Sequence, residues 1–199
     1  MAGIFSNLSG LLTRREPAFQ SWSRPAAVMV LLAEKPVPSV LLIRRPETLT
    51  YHAGQIACPG GSFESSLDGT LWDTACRETQ EEVGIVVSRA AFLGFLDPVH
   101  IPVTGFTFIP AVSYLAQQVP VTPDAAEVHS YCWVPWEELK RVKRMGSLTV
   151  RGVPRPFPEF PLPWGRVWGA TARVLDQLST VLTGAEEGVI SENSKATPT

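Results

Sequence analysis

Cysteine is scarce. The 199 residues hold three, Cys58, Cys76 and Cys132, with no C-x-x-C pair. An odd, scattered set argues against a disulfide framework or a structural zinc site. Three thiols of this kind read as small apolar residues in a reducing compartment. Long apolar runs are also missing: no stretch reaches 18 residues, so no spanning helix and no membrane partner are expected. A basic excess is missing too. The formal net charge is −2, which removes the electrostatic footprint of a nucleic-acid binder. Apolar residues make up 45% and charged residues 18%, a balance that supports one globular domain with a substantial core.

The first residues, MAGIFSNLSGLLTRR, carry no acid before Glu16 and end in Arg14-Arg15. A transit peptide has this composition, and so does a short amphipathic helix in a cytoplasmic protein, which is the expectation here. Residues 1–24 are read as an N-terminal arm, 25–183 as the domain and 184–199, polar and small, as a frayed tail.

Within the domain, AAVMVLLAE (26–34) and SVLLIRR (39–45) flank Pro36-Val37-Pro38 and predict a hairpin. A short strand at 56–58 ends at Pro59-Gly60-Gly61. The spacing predicts a helix from Leu71 to Val83, closed by Gly84. Strands are expected at 91–96, 106–114 and 128–134, and a helix at 136–145. Residues 153–164 contain five prolines and predict a loop or extended cover. A second long helix is expected at 167–182. Strands placed before, between and after helices indicate an α/β or α+β layered domain.

On the helix from Leu71, residues Glu78, Glu81 and Glu82 share one side at i, i+3 and i+4, roughly 5–6 Å apart. Near a surface two unit charges at 4 Å interact by roughly 4 kcal/mol. Arg77, i−4 to Glu81, relieves one acid and not three. A hard, oxygen-seeking cation such as Mg²⁺ or Mn²⁺ would relieve them all. A solvated acidic face is the bland alternative. The glycine turn at 59–61 tips the balance toward a metal–phosphate site, because glycine lets the backbone approach a ligand closely.

The run GGSFESSLDGTLWDTACRETQEEVGI (60–85) resembles the signature of the Nudix hydrolases: a glycine, a loop with a glutamate, then Arg-Glu-apolar-x-Glu-Glu-x-Gly-apolar. Arg77, Glu78, Glu81, Glu82, Gly84 and Ile85 match. Thr79 replaces the apolar residue. The expected loop glutamate falls at Gly69, with Glu64 and Asp68 as the nearby acids. LLIRRPETLTYHAGQIACPGG (41–61) is similar to the segment marking the coenzyme A pyrophosphatase branch, through Leu41, Leu42, Arg45, Leu49, His52, Gly54, Gln55, Pro59, Gly60 and Gly61. WGATARVL (168–175) and residues 98–110 resemble the same branch.

The resemblance implies an α/β/α sandwich with a mixed sheet between helices. It implies Mg²⁺- or Mn²⁺-assisted attack of water on a pyrophosphate bond. The small-molecule substrate would be coenzyme A or its thioesters; ADP-ribose, a dinucleotide or an oxidised nucleotide is the alternative, and a non-catalytic binding module a third. Glu78, Glu81, Glu82 and the Gly61 carbonyl would hold metal, with Glu81 or Glu82 doubling as base. Glu127 either joins them or is a surface charge. Arg45 and His52 would meet substrate phosphates, unless His52 is a buried hydrogen-bonding residue. Gln55 would order the loop beside the substrate. Asp68 or Glu64 would pair with Arg77 in support. Trp164 and Trp168 either pack under the last helix or line a pocket. A homodimer is an allowed state.

Overall fold

The structure, a computed structural model, describes residues 3–5, 8–48, 52–102, 104–150 and 152–195. Leu49, one of the matching positions above, and the extreme residues of the arm and tail lie outside the described residues. The strands run β1 (Arg24–Ala33), β2 (Ser39–Arg44), β3 (Ile56–Ala57), β4 (Gly60–Ser62), β5 (Phe92–Phe95), β6 (Val99–Ile101), β7 (Phe106–Leu115), β8 (Ser130–Pro135), β9 (Arg144–Val150), β10 (Val153–Leu162) and β11 (Gly165–Val167). The helices are α1 (Leu71–Val83), α2 (Trp136–Val142) and α3 (Gly169–Lys195).

The first eight strands form one mixed sheet. β1 lies at its centre, parallel to β7 along its whole length and antiparallel to β2 and β4. β1 reads as an unbroken apolar run because both of its faces are covered. Val30 and Leu32 point into one core with Ala172, Leu175 and Leu178 of α3. Ala27, Met29 and Leu31 point into the other with Leu71, Ala75 and Val83 of α1. The sheet is therefore sandwiched between helices, as expected.

Four features depart from the sequence expectation. The proline-rich stretch is a strand, β10, paired with β9 along 153–159. Pro154, Pro156 and Pro158 alternate, so their missing donors all fall on one edge and the intervening N–H groups remain for β9. The helix expected to reach Met145 stops at Val142, because Arg144 and Met145 enter β9. The last helix continues to Lys195, beyond the apolar spacing that ends at Leu182. Finally, the arm is woven into the domain. It holds a short 3-10 turn at Leu8–Gly10, and Phe5, Leu8, Leu12 and Phe19 are buried. Phe5 packs edge-on against Trp136, its N–H and that of Ile4 donate to the Glu34 carboxylate, and the Phe95 N–H donates to the Thr13 carbonyl.

Candidate active site

Helix α1 carries the acids, and its ends are fixed by partners near and far. Thr70 caps the N-terminus by accepting from the Asp73 N–H at 3.1 Å. Glu16, 56 residues upstream, accepts from the Trp72 N–H at 3.1 Å and satisfies a second orphan donor. Gly84 closes the C-terminus with φ 69°, the left-handed position that glycine takes without strain. The two final carbonyls are used as well: Glu82 accepts from the Asp124 N–H and Val83 from the Thr122 N–H, both at 2.9 Å. Those bonds pin the loop that carries Glu127 to the end of the acidic helix.

The glycine pair lies within β4, against β1. A Cβ on Gly60 would strike the Ala27 carbonyl and Val28 of β1, so close strand approach requires glycine there. A Cβ on Gly61 would fall on the Glu78 carboxylate. The second glycine thus makes room for an acid of the cluster.

The three helix acids differ in depth. Glu82 is 1% exposed, Glu78 14% and Glu81 54%. Helix periodicity groups them on one side; packing under β4 buries one edge of that group. Glu82 accepts from Arg45 Nη1 at 3.0 Å and from the Gly60 N–H at 2.9 Å. Glu78 and Glu81 both accept from Arg77 Nη1 at 2.9 Å. Arg77 also reaches Asp68 through Nε and Nη2, each at 2.9 Å, and the Ser62 carbonyl at 3.1 Å.

Asp68, not Glu64, is therefore the side chain paired with Arg77. Glu64 is exposed, and its backbone N–H donates to Asp68 at 3.0 Å. Thr79, the departure from the apolar pattern, donates its hydroxyl to the Ala75 carbonyl and stays buried.

The electrostatics follow from this geometry. Burial pushes the Glu82 carboxyl up to about 8; Glu78 and Glu127 add to the rise, while the Gly60 N–H and Arg45 oppose it. Burial also raises Glu78, with Glu81 and Glu127 adding and Arg77 pulling back. Burial works against the ionised form of Asp68 as well. Its hydrogen bonds from Arg77, the Glu64 N–H and Thr74 overcome that and hold it below the usual carboxylate range. Cys58, fully desolvated and close to Glu82, is pushed up to about 12, which keeps it an inert thiol.

The other expected residues are placed as follows. Arg45 is drawn to Glu82, with Glu127 3.9 Å from its Nη2. His52 is exposed, in a left-handed conformation at φ 59°; the buried reading of this residue does not hold. Its Nδ1 lies 2.9 Å from Gln55 Oε1. The Gln55 carbonyl accepts from the Arg45 N–H at 2.9 Å, which joins the loop of Gln55 to the end of β2. Trp164 packs partly buried against the core and Trp168 is 37% exposed. Residues not singled out in the sequence also take part. Arg44 holds Glu47 at 2.8 Å and reaches the Trp164 carbonyl on the opposite side of β2 from Arg45. No local pattern marks these pairings.

Among the described residues, no group of three acids, histidines or cysteines stands in a metal-holding arrangement. The carboxylates are turned to the two arginines. The donor chemistry nonetheless fits a hard divalent ion. Each ionised carboxylate has about four acceptor sites, and Glu82 uses two here while Glu78 and Glu81 use one each. The rise at both Glu78 and Glu82 is what a bound cation would reverse.

Residues 22–151 match the NUDIX domain model. Two curated relatives are called uncharacterized Nudix hydrolase NudL. The one from Pectobacterium atrosepticum is 36% identical over 159 residues, covering 78% of this chain and 81% of the relative. That from Klebsiella pneumoniae subsp. pneumoniae is 34% identical, covering 84% and 88%. Among solved structures, a MutT/nudix family protein from Enterococcus faecalis aligns with a TM-score of 0.57 at 19% identity, covering 85% of this chain and 66% of that one. The NUDIX domain of Shewanella oneidensis NrtR, complexed with ADP ribose, aligns at 0.56 and 17% identity, covering 79% and 87%. The chain belongs to the Nudix hydrolase family and is a diphosphatase-type enzyme. No helix among its described residues is long and apolar enough to cross a membrane.

Proposed function

We propose that this Nudix hydrolase cleaves the pyrophosphate bond of coenzyme A or its thioesters, giving 4′-phosphopantetheine and adenosine 3′,5′-bisphosphate, in the cytoplasm. The observation that carries the reading is the segment 41–61. Its sequence resembles the coenzyme A pyrophosphatase branch, and its loop borders the acidic helix through Arg45 and Glu82.

Glu78, Glu81, Glu82 and the Gly61 carbonyl are the oxygens that would hold Mg²⁺ or Mn²⁺. When bound, such an ion would polarise phosphoryl oxygens and lower the pKa of the attacking water. Arg77 and Asp68 hold the helix acids and their loop in place. Glu81, the most exposed of the three, and Glu82, the most buried, are the candidates to take the proton from water. Glu127 adds charge at the rim. His52 and Gln55 form the substrate side, where His52 stands exposed to meet a phosphate, and Arg45 lies behind them against Glu82.

A panel of diphosphates with Mg²⁺ or Mn²⁺, analysed for products, tests the proposal. Coenzyme A should give the two bisphosphate-side and pantetheine-side products. Coenzyme A left intact while ADP-ribose or a dinucleotide is cleaved would overturn the substrate. No cleavage of any member would favour a binding module, a reading that the retained helix glutamates oppose.

A further inference from the structure

Arg45 stands at the junction of three segments. Its backbone N–H donates to the Gln55 carbonyl at 2.9 Å and ties down the loop of His52. Its Nη1 donates to Glu82 of α1 at 3.0 Å, and its Nη2 lies 3.9 Å from Glu127 on the loop after β7. The Gly60 N–H takes the other Glu82 oxygen. Both oxygens of the deepest acid are thus oriented by protein donors. Arg45 Nε, in contrast, is buried and has no hydrogen-bond partner. The guanidinium sits where the two carboxylates draw it, at the expense of its own remaining donor.

We infer that Arg45 is a positioning residue. It clamps Glu82 to Glu127 and fixes the Glu82 carboxylate that the reaction uses, and it is not primarily a ligand for substrate phosphate. Once Glu82 is ionised, two like charges with no cation between them would separate, and Glu127, 48% exposed on a loop, is free to swing outward. Only arginine has the rigid fork that spans two carboxylates; a lysine presents one point charge. Partners that orient ligating carboxylates are worth about 10- to 100-fold in metal affinity or activity. The inference rests on the hydrolase reading for its catalytic half only.

The test has two arms. In EDTA above pH 8, where Glu82 is ionised, urea unfolding is measured for the wild type, Arg45→Gln, Glu82→Gln and the double variant. The clamp predicts that the double variant's unfolding constant departs about tenfold from the product of the single effects; additivity would overturn it. In the second arm, Arg45→Lys and Arg45→Gln are assayed on a diphosphate that the wild type cleaves. The expected result is a kcat loss of about 10- to 100-fold in both, with KM little changed. A raised KM with kcat retained, and near-normal behaviour of Arg45→Lys, would make Arg45 a phosphate ligand and sink the clamp. Should the wild type cleave nothing, the functional reading fails, while the EDTA arm still decides the clamp.

Discussion

Arg77 grips Asp68 through two parallel hydrogen bonds, Nε to Oδ1 and Nη2 to Oδ2, both 2.9 Å long. Asp68 is 1% exposed at its side chain and has Thr74 as a further donor. The pair ties the loop after β4 to the acidic helix.

Removing that charge takes from the Arg77 guanidinium its two-pronged, buried partner and leaves it Glu78 and Glu81 through Nη1 alone. Asp68→Asn should destabilise the fold by about 3 kcal/mol at neutral pH. The folded pKa of Asp68 lies below its ordinary value of 3.8. The stability it contributes is therefore present above that value and is lost as pH falls through the folded pKa. Urea denaturation from pH 3 to 7 should show an acid-limb loss in the wild type that is shallower in Asp68→Asn. Identical acid limbs would mean that another carboxylate governs acid unfolding.

Glu82 behaves in the opposite sense. Its carboxyl rises from 4.5 to about 8 on folding. Between those values the folded chain keeps a proton that the unfolded chain has released, so rising pH destabilises the metal-free protein. The slope approaches about 1.4 kcal/mol per pH unit. In EDTA, stability should fall from pH 5 to 8 and Glu82→Gln should flatten the decline. Adding Mg²⁺ or Mn²⁺ should restore wild-type stability at pH 8 and leave the variant unchanged.

Glu82→Gln should also lose most activity while unfolding no more easily than the wild type in EDTA at pH 8, because it removes a costly buried charge. A fully active variant would show that the metal-holding oxygens lie elsewhere.

The adjacent glycines should fail differently. Gly60→Ala places a Cβ into the backbone of β1 at a φ of 152° and should cost about 2 kcal/mol or more. Gly61→Ala displaces only the far end of the Glu78 side chain. It should fold normally and weaken Mn²⁺ binding about tenfold or more, read by paramagnetic resonance titration. Equal losses of stability in the two variants would contradict this division.

The arm should prove inseparable from the domain. Phe5 is fully buried against Trp136, and Phe5→Ala should lower stability by about 3–5 kcal/mol. A change within experimental scatter would return residues 1–24 to the status of an accessory arm.

The sequence alone determined whatever local periodicity and capping govern. The helix Leu71–Val83 with its three aligned glutamates, its Gly84 end and the β1–β2 hairpin follow from periodicity and turn chemistry. Tertiary structure alone decided the partners. Glu16 reaches α1 across 56 residues and Arg45 reaches Glu82 across 37, distances over which no periodic signal operates. It also decided which of Asp68 and Glu64 meets Arg77, since both lie in the same polar loop and only packing beneath Thr74 separates them. The prolines of β10 misled for a related reason: proline forbids a central strand, but an alternating set on one edge needs a neighbour, β9, to show that the other edge is free to pair. Depth within the acidic cluster came last. The sequence aligned Glu78, Glu81 and Glu82 as equals, and the sheet beneath them buried Glu82, half-buried Glu78 and left Glu81 to solvent, because burial depends on what packs against a helix and not on the helix itself.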